Sequence, residues 1–397
     1  MAIAHPRQLG ARGRAWACGT LLVAAMTGAY AAVPPPVPPA GNSAWVYDAL
    51  YQDGRRSGSS PGSFAAALNR YNRRARRGSA ITRVFVYGGT LEMYCRGSGA
   101  TCRPQDLKVS FGVSGHQSIA AYARELQPVD GRPVRVVAIL DGAIRANYAG
   151  SLKGFNQLSP EMAGLFADKV ARQICSDAEI SAVQFDLEPF DVRTRNGQYY
   201  FYRRIAEDFS GASGGAGHNA FGCRDPTHPA GRYFSVFGSP HSLSARGAAG
   251  RNLQEILTAQ HNGFFIGALY DLSDEPAGHP VPPDRYRRKA LALARAAARG
   301  AARWGIPYQL AIPASASAHE YAMCKGRSCG LGADTGSSQS DYLEAAVDAI
   351  KASNSATNPL YLGAAVWAWS RAIVADGMQF SPAEPTAHDQ EYLEDNL

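Results

Sequence analysis

Charged residues are scarce in this chain of 397 residues: they make up 18% of the sequence, whereas 46% of the residues are hydrophobic. Disordered chains show the opposite balance, so this composition excludes disorder and allows a sizeable buried core. Seven cysteines in so long a chain are also too few for a small disulfide-rich scaffold. We therefore expect one large folded domain or two medium ones.

The amino-terminal apolar run lacks the length of a membrane-spanning helix. It covers roughly residues 16–30, whereas a bilayer span needs about 20 apolar residues. The run follows Arg7, Arg12 and Arg14 and ends at the small-residue pattern Ala-Tyr-Ala at 29–31, an arrangement typical of a secretory signal peptide. We predict that residues 1–31 are cleaved and that the protein is secreted or periplasmic, without stable membrane insertion.

The chain also lacks a strong excess of basic residues. Its formal charge is +7, and removal of the three amino-terminal arginines leaves +4. A charge this small over so long a chain gives no reason to expect a nucleic-acid partner.

Cysteine usage agrees with export, because removing Cys18 leaves an even number of cysteines in an oxidising compartment. Proximity in sequence predicts three disulfides: Cys95 with Cys102, Cys324 with Cys329, and Cys175 with Cys223. Neither close pair has the C-x-x-C spacing of common metal sites. We predict no metal and no cofactor.

Apolar, strand-like segments alternate with helix-like segments along most of the chain. After a proline-rich spacer at 32–42, the predicted strands are Arg83–Tyr87, Val109–Val113, Val134–Leu140, Ala182–Glu188, Tyr233–Phe237, Phe264–Tyr270, Tyr308–Ile312 and Leu362–Trp369. Eight such strands separated by helices favour an α/β fold of the (β/α)8 TIM-barrel type. We expect it to form a single domain that covers residues 43–397. A doubly wound parallel sheet is the alternative. Residues 88–108 show no helical pattern, so either the first connection is irregular or Val109–Val113 is the arm of a hairpin.

The segment Ser181–Pro189 contains the most informative acidic residues. Side chains alternate along a strand, so Gln184, Asp186 and Glu188 share one face and the apolar residues between them share the other. The two acids then lie roughly 6–7 Å apart along the strand. One acid can hold a substrate group while the other donates a proton. Burial and like charge would raise the pKa of one of the two acids, which a general acid working near neutral pH requires. A surface segment with solvated acids is the structural alternative.

This segment resembles the D-G-x-D-x-D-x-E signature of family 18 glycoside hydrolases, the chitinases and endo-β-N-acetylglucosaminidases. The resemblance implies that Glu188 is the general acid and that Asp186 orients the N-acetyl group of the substrate. The family's reaction is substrate-assisted, so the acetamide oxygen of the sugar acts as nucleophile and no second enzyme carboxylate attacks. The implied substrate is a polysaccharide or other glycan, cleaved with retention.

Two further stretches are similar to motifs of the same family. Leu269–Leu272 resembles the sixth-strand M-x-Y-D motif, which implies that Tyr270 and Asp271 contact the acetamide and the sugar. Val366–Ser370 resembles the eighth-strand end, where a tryptophan forms the floor under the bound sugar. Trp367 and Trp369 both fit that role, because strand alternation places both on one face.

The sequence also departs from the family pattern. Ser181 and Gln184 replace the two earlier acids of the signature, and Asp141 lies within the stretch that replaces the third-strand S-x-G-G. Gln184 can donate a hydrogen bond to Asp186 but cannot share a proton with it as an acid would. A non-catalytic, chitinase-like glycan-binding protein is therefore one alternative function.

A two-carboxylate retaining glycosidase is the other alternative. Pro189 directly follows Glu188, as in the fourth-strand Asn-Glu-Pro of a large clan of barrel glycosidases, although Leu187 stands in the place of the Asn. In that case Glu320, shortly after the predicted seventh strand, is the nucleophile, with its carboxyl about 5 Å from that of Glu188.

Overall fold

The computed structural model describes residues 38–46, 61–95, 101–111, 113–144, 151–212, 219–270, 272, 281–314, 322–325, 328–331, 338–369, 374–375, 378–379 and 385–397. For 61, 113–118, 322–325, 328–331, 374–375 and 378–379, only the backbone is described.

Eight parallel strands form a closed ring. They are β1 (Asn42–Val46), β2 (Ile81–Met93), β4 (Arg135–Ala143), β5 (Ala182–Glu188), β6 (Tyr233–Gly238), β7 (Gly263–Ala268), β8 (Tyr308–Pro313) and β11 (Tyr361–Trp367). Strand β1 pairs with β2 on one side and with β11 on the other, which closes the sheet. The (β/α)8 barrel prediction is confirmed. The doubly wound alternative is wrong, because an open sheet has two unpaired edges.

Helices surround the ring in the order expected of this fold. They are α1 (Pro61–Arg74), α2 (Val113–Glu125), α3 (Pro160–Cys175), α4 (Gly197–Phe209), α5 (His241–Ser244), α6 (Gly247–Thr258), α7 (Pro283–Trp304), α8 (Gln339–Ala352) and α9 (Ala387–Asn396). Outside the ring, β9 (Ala322–Lys325) pairs with β10 (Ser328–Leu331), and β12 (Val374–Ala375) pairs with β13 (Met378–Gln379). Among the helices described, none is long and apolar enough to cross a bilayer.

Helix α3 shows how the local sequence sets these elements. Its N-cap Ser159 accepts a hydrogen bond of 3.2 Å from a first-turn amide, and Pro160 occupies the first helical position, where its missing N–H costs no intrahelical bond. Phe166, Val170 and Ile174 recur at four-residue spacing and are fully buried. The helix therefore packs one apolar stripe against the barrel.

The prediction of Val109–Val113 as the second barrel strand is wrong. This stretch contributes to β3 (Leu107–Ser110), which pairs antiparallel with the end of β2 as a hairpin arm. The missing barrel strand is β1, which directly follows the proline-rich spacer and has only five residues. Gly89 allows the hairpin to form, because a Cβ at this position would lie 2.1 Å from the carbonyl oxygen of Ser110.

Side-chain alternation divides the core into two layers. Along β5, Val183, Phe185 and Leu187 pack in the larger cluster between barrel and helices, as predicted. A second cluster fills the barrel interior. It contains Trp45, Phe85, Val137, Ile139, Ala182, Tyr233, Phe264, Ile266, Tyr270, Ala311, Leu362, Ala365 and Ala368. The inward side of β5 therefore faces a packed interior and not a pore.

A buried arginine lies at the amino end of the barrel. The Arg83 guanidinium donates to the side-chain oxygen of Gln309 at 3.0 Å and to the Pro39 carbonyl at 2.5 Å. Its carbon lies 4.9 Å from the centre of the Phe264 ring. These contacts fix the amino end of the barrel, whereas barrel enzymes place their chemistry at the carboxyl end.

Two of the three predicted disulfides are confirmed, Cys95–Cys102 and Cys175–Cys223. The β9–β10 register places Cys324 opposite Cys329. Their side chains lie outside the described part of the structure, so this third disulfide stays a prediction.

Removal of Cys175–Cys223 is expected to destabilise the protein by roughly 2–4 kcal/mol, because it joins residues 48 apart and restricts the unfolded chain. The measurement is the free energy of unfolding of the variant with both cysteines changed to Ala. The matched control is the Cys95–Cys102 pair, which spans only 7 residues and should cost less in the same assay. Equal losses for the two pairs would contradict the loop-length argument.

Candidate active site

The polar face of β5 runs from the barrel interior to its carboxyl end. Gln184 is fully buried, and its side-chain oxygen accepts a hydrogen bond of 3.3 Å from the Trp45 indole N–H. Asp186 is half-buried and Glu188 is exposed. The Glu188 carbonyl accepts a 2.7 Å bond from the Ile144 amide, which ties the strand end to the chain leaving β4. Asp186 thus occupies a partly desolvated position, and Glu188 occupies a solvated one.

An aromatic wall, formed by Phe237, Tyr270 and Trp367, lies at the same end of the barrel. The Tyr270 ring stacks on Trp367 at 4.9 Å between centroids and on Phe237 at 6.0 Å. Phe237 in turn lies 6.1 Å from Trp45, the hydrogen-bond partner of Gln184. The wall therefore continues the inner surface to which the polar face of β5 belongs.

The structure separates the two tryptophans that the sequence left equivalent. Trp367 is half-buried at the end of β11, in the barrel interior. Trp369 is fully buried on the helix side, where its ring lies 4.8 Å from that of Tyr71 in α1. The prediction that both share one strand face is wrong, because β11 ends at Trp367 and alternation does not continue past it.

Burial and two neighbouring acids set the electrostatics of Asp186. Desolvation is the main cause that raises the pKa of its carboxyl from 3.8 to about 7, and the charges of Glu188 and Asp141 add to this rise. Its Oδ1 atom is shielded from solvent and accepts no hydrogen bond from a described residue. Near neutral pH, Asp186 can therefore hold or release a proton.

Sequence reasoning gave no role to Asp141, the third acid at this end of the barrel. It lies near the end of β4, directly opposite Asp186 in the parallel register. Burial raises the pKa of Asp141, and a hydrogen bond to Thr90 offsets part of that rise. The acid at a predicted strand end was visible in the sequence, but its neighbour could be identified only once the strand order and register were known.

The remaining predicted residues fall outside this geometry. Asp271 and Glu320 lie outside the described residues. In the described ranges, no three His, Cys, Asp or Glu side chains are grouped so as to hold a metal ion.

Comparison with known proteins identifies the fold class. No protein-family model and no curated protein matches the sequence. The endo-beta-1,4-glucanase Xac0029 from Xanthomonas axonopodis pv. citri is similar in structure, with TM-score 0.50, 12% identity and coverage of 89% of this chain and 97% of that one. A family 5 xyloglucanase from Paenibacillus pabuli has TM-score 0.49 and 12% identity over 89% and 97% of the two chains.

A third similar structure is the spore cortex-lytic enzyme SleL from Bacillus megaterium QM B1551. It has TM-score 0.46 and 11% identity over 91% of this chain and 76% of that one. At such low identity, the likeness to the Xac0029 structure shows the (β/α)8 fold alone.

The raised pKa of Asp186 predicts a pH-dependent effect on stability. A carboxyl whose pKa is 3.8 unfolded and about 7 folded makes the folded protein lose stability as pH rises through that interval. Asp186→Asn is therefore expected to raise the free energy of unfolding at pH 8 by about 1–3 kcal/mol, a range reduced for partial exposure. The gain should disappear near pH 3, below the unfolded pKa, where the carboxyl is mostly protonated in both states.

Denaturant unfolding of both proteins at the two pH values measures this effect. The matched control is Asp130→Asn, an exposed acid in the loop before β4, at the opposite end of the barrel. A variant no more stable than the wild type at pH 8 would rule out an uncompensated buried carboxyl at position 186.

Proposed function

We propose that the protein is an exported glycoside hydrolase that cleaves β-linkages next to N-acetylated sugars by substrate-assisted, retaining hydrolysis. The observation that supports this most is the placement of Asp186 and Glu188 on one face at the carboxyl end of β5, in the same barrel mouth as the aromatic wall. Carbohydrate sites need polar groups at the scissile bond and an apolar face under the ring.

In the proposed reaction, Glu188 protonates the leaving glycosidic oxygen and later accepts a proton from the attacking water. The sugar's acetamide oxygen attacks the anomeric carbon, so the first intermediate is a cyclic oxazolinium ion. Asp186 orients the acetamide and stabilises the positive charge that develops on it. The exposed position of Glu188 suits contact with a leaving sugar and with water, whereas the more buried Asp186 suits an amide held inside the pocket.

The aromatic wall is assigned to sugar binding. Tyr270 stacks on one face of Trp367. The other face of Trp367 is proposed to form the floor under the sugar ring, with Tyr270 contacting the acetamide. Asp271 is proposed to hold the same group. Gln184 supports the floor of the pocket from below through its bond to Trp45.

Export is part of the proposal. Two disulfides in the described chain are of a kind that persists in oxidising compartments, in agreement with the predicted signal peptide.

A series of aryl β-glycosides that differ only in the N-acyl group tests the mechanism. Replacing acetyl by mono-, di- and trifluoroacetyl makes the amide oxygen a poorer nucleophile. We expect kcat/KM to fall steeply along the series, and the matched glucosides, which lack the amide, not to be cleaved. A two-carboxylate enzyme using Glu188 and Glu320 predicts a flat series, cleavage of the glucosides and complete loss of activity in Glu320→Gln.

The chitinase-like glycan-binding alternative gives a different result. Because Gln184 cannot share a proton, a protein that has lost catalysis would bind N-acetylated oligosaccharides in calorimetry and release no aglycone from any member of the series. Binding without turnover would therefore replace the proposed activity by glycan recognition.

A further inference from the structure

Asp141 and Asp186 face each other across two neighbouring strands. In the β4–β5 register they are direct partners, and alternation places both on the barrel side that holds Ile139 and Gln184, two residues earlier on each strand. Neighbouring strands lie about 4.8 Å apart, so the two side chains are nearest neighbours on that face of the sheet, and the charge of Asp141 raises the pKa of Asp186.

Both carboxyl groups have an oxygen that the protein leaves unsatisfied. The Oδ1 atoms of Asp141 and Asp186 are shielded from solvent, and neither accepts a hydrogen bond from a described residue. Two ionised carboxylates in this position would repel each other at short range, whereas one shared proton would satisfy an oxygen on each.

Neighbouring side chains hold Asp141 in place. Thr90, its register partner on β2, hydrogen-bonds to the carboxyl. The Thr90 hydroxyl also lies 2.7 Å from the Tyr87 phenol oxygen. This chain of polar groups fixes one side of Asp141 and leaves its other side turned to Asp186.

We propose that Asp141 and Asp186 hold a single proton between them, and that Asp141 is the proton partner of Asp186 in the hydrolysis; the catalytic part of this inference rests on the proposed function. The acid that the β5 sequence lacks at Gln184 is thereby supplied from the adjacent strand. Asp141 acts through Asp186 and is a positioning residue.

The proton balance of the reaction follows directly. Before attack, Asp186 carries the proton and Asp141 is ionised. As the acetamide oxygen bonds to the anomeric carbon and the leaving oxygen takes the proton of Glu188, the shared proton moves from Asp186 to Asp141. Asp186 is then anionic beside the positive intermediate. When water attacks and returns a proton to Glu188, the shared proton moves back, so the pair carries one proton throughout.

Other titratable groups surround the pair. Glu188 lies two residues along β5, and its charge raises the pKa of Asp186. Glu92 and Tyr87 of β2 lie on the Asp141 side, and Tyr202 of α4 lies close enough for Asp186 to raise its pKa. The test must therefore isolate the coupling between the two acids and not the titration of one group.

A double-mutant cycle in unfolding measures this coupling without using activity. Asp141→Asn, Asp186→Asn and the double variant are melted at pH 8 and pH 4.5. At pH 8 each single substitution is expected to raise the Tm by about 2–4 °C, and the double variant by clearly less than the sum, because either change relieves the same repulsion. At pH 4.5 the pair carries the proton that it shares, so the coupling should change sign from repulsive to attractive.

Additive Tm shifts at pH 8 would overturn the shared proton. A coupling of the same sign and size at pH 4.5 would overturn it as well, since it would then not depend on the proton. If Asp141→Asn folds poorly, Asp141→Ala removes the same charge and enters the same cycle. Asp130→Asn is the control for loss of one negative charge.

The pH dependence of kcat/KM tests the catalytic part. Asp141→Asn is expected to lower activity by about 10–100-fold. It should also lower the apparent pKa of the remaining acid, Asp186, by on the order of one unit. Asp141→Glu, which keeps an acid, should recover part of the rate. An unchanged profile in Asp141→Asn would remove Asp141 from the reaction. If no N-acetylated glycan is cleaved, the proposed function fails, while the unfolding cycle still decides whether the proton is shared.

Discussion

Replacing Glu188 by Gln is expected to lower kcat/KM on N-acetylated glycosides by about 10²–10⁴-fold, the usual contribution of a general acid–base residue. Glutamine keeps the shape of the side chain at the end of β5 but cannot give a proton to the leaving oxygen. The loss should be larger for a sugar leaving group than for a nitrophenyl group, because nitrophenolate leaves without protonation. Initial rates on both substrate types measure the difference.

Glu179→Gln is the matched control for this change. Glu179 is exposed in the loop that precedes β5, at the amino end of the barrel. The substitution therefore removes the same charge far from the site. It should retain wild-type rates. Equal losses for the two leaving groups in Glu188→Gln would argue that Glu188 does not protonate the leaving oxygen.

Truncation of the two carboxyl-end tryptophans is expected to affect different properties: mainly stability for Trp369 and mainly activity for Trp367. Trp369→Ala should cost about 3–5 kcal/mol of stability, because the ring is fully buried against Tyr71 and its loss leaves a cavity. Trp367→Ala should cost only about 1–2 kcal/mol, since the ring is half-buried, and should lower kcat/KM by roughly 10–100-fold through lost sugar stacking.

Trp367→Phe separates stacking from packing, because a smaller aromatic face remains. It should recover part of the activity, chiefly through KM. Denaturant unfolding and steady-state kinetics of the three variants provide the readout. If Trp369→Ala lowered activity at full stability while Trp367→Ala did not, the sugar floor would have to be reassigned to Trp369.

The chain's own pattern determined the barrel and the strand that carries the candidate acids. Apolar strand-like runs separated by helices predicted the fold, since parallel strands covered on both faces are hydrophobic along their length. Alternation within Ala182–Glu188 placed Val183 and Phe185 outward and Gln184 inward, as the structure has them. These are local properties, because a strand's two faces follow from its backbone geometry.

Tertiary structure alone decided which distant groups meet. The short strand β1 is recognised only because it closes the ring between β2 and β11. Trp369 leaves the strand face that Trp367 keeps, since β11 ends between them, and a strand end is set by pairing with its neighbours. Asp141 lies 45 residues from Asp186 in sequence and becomes its partner through the β4–β5 register. Register is a relation between strands, so no pattern within either strand contains it.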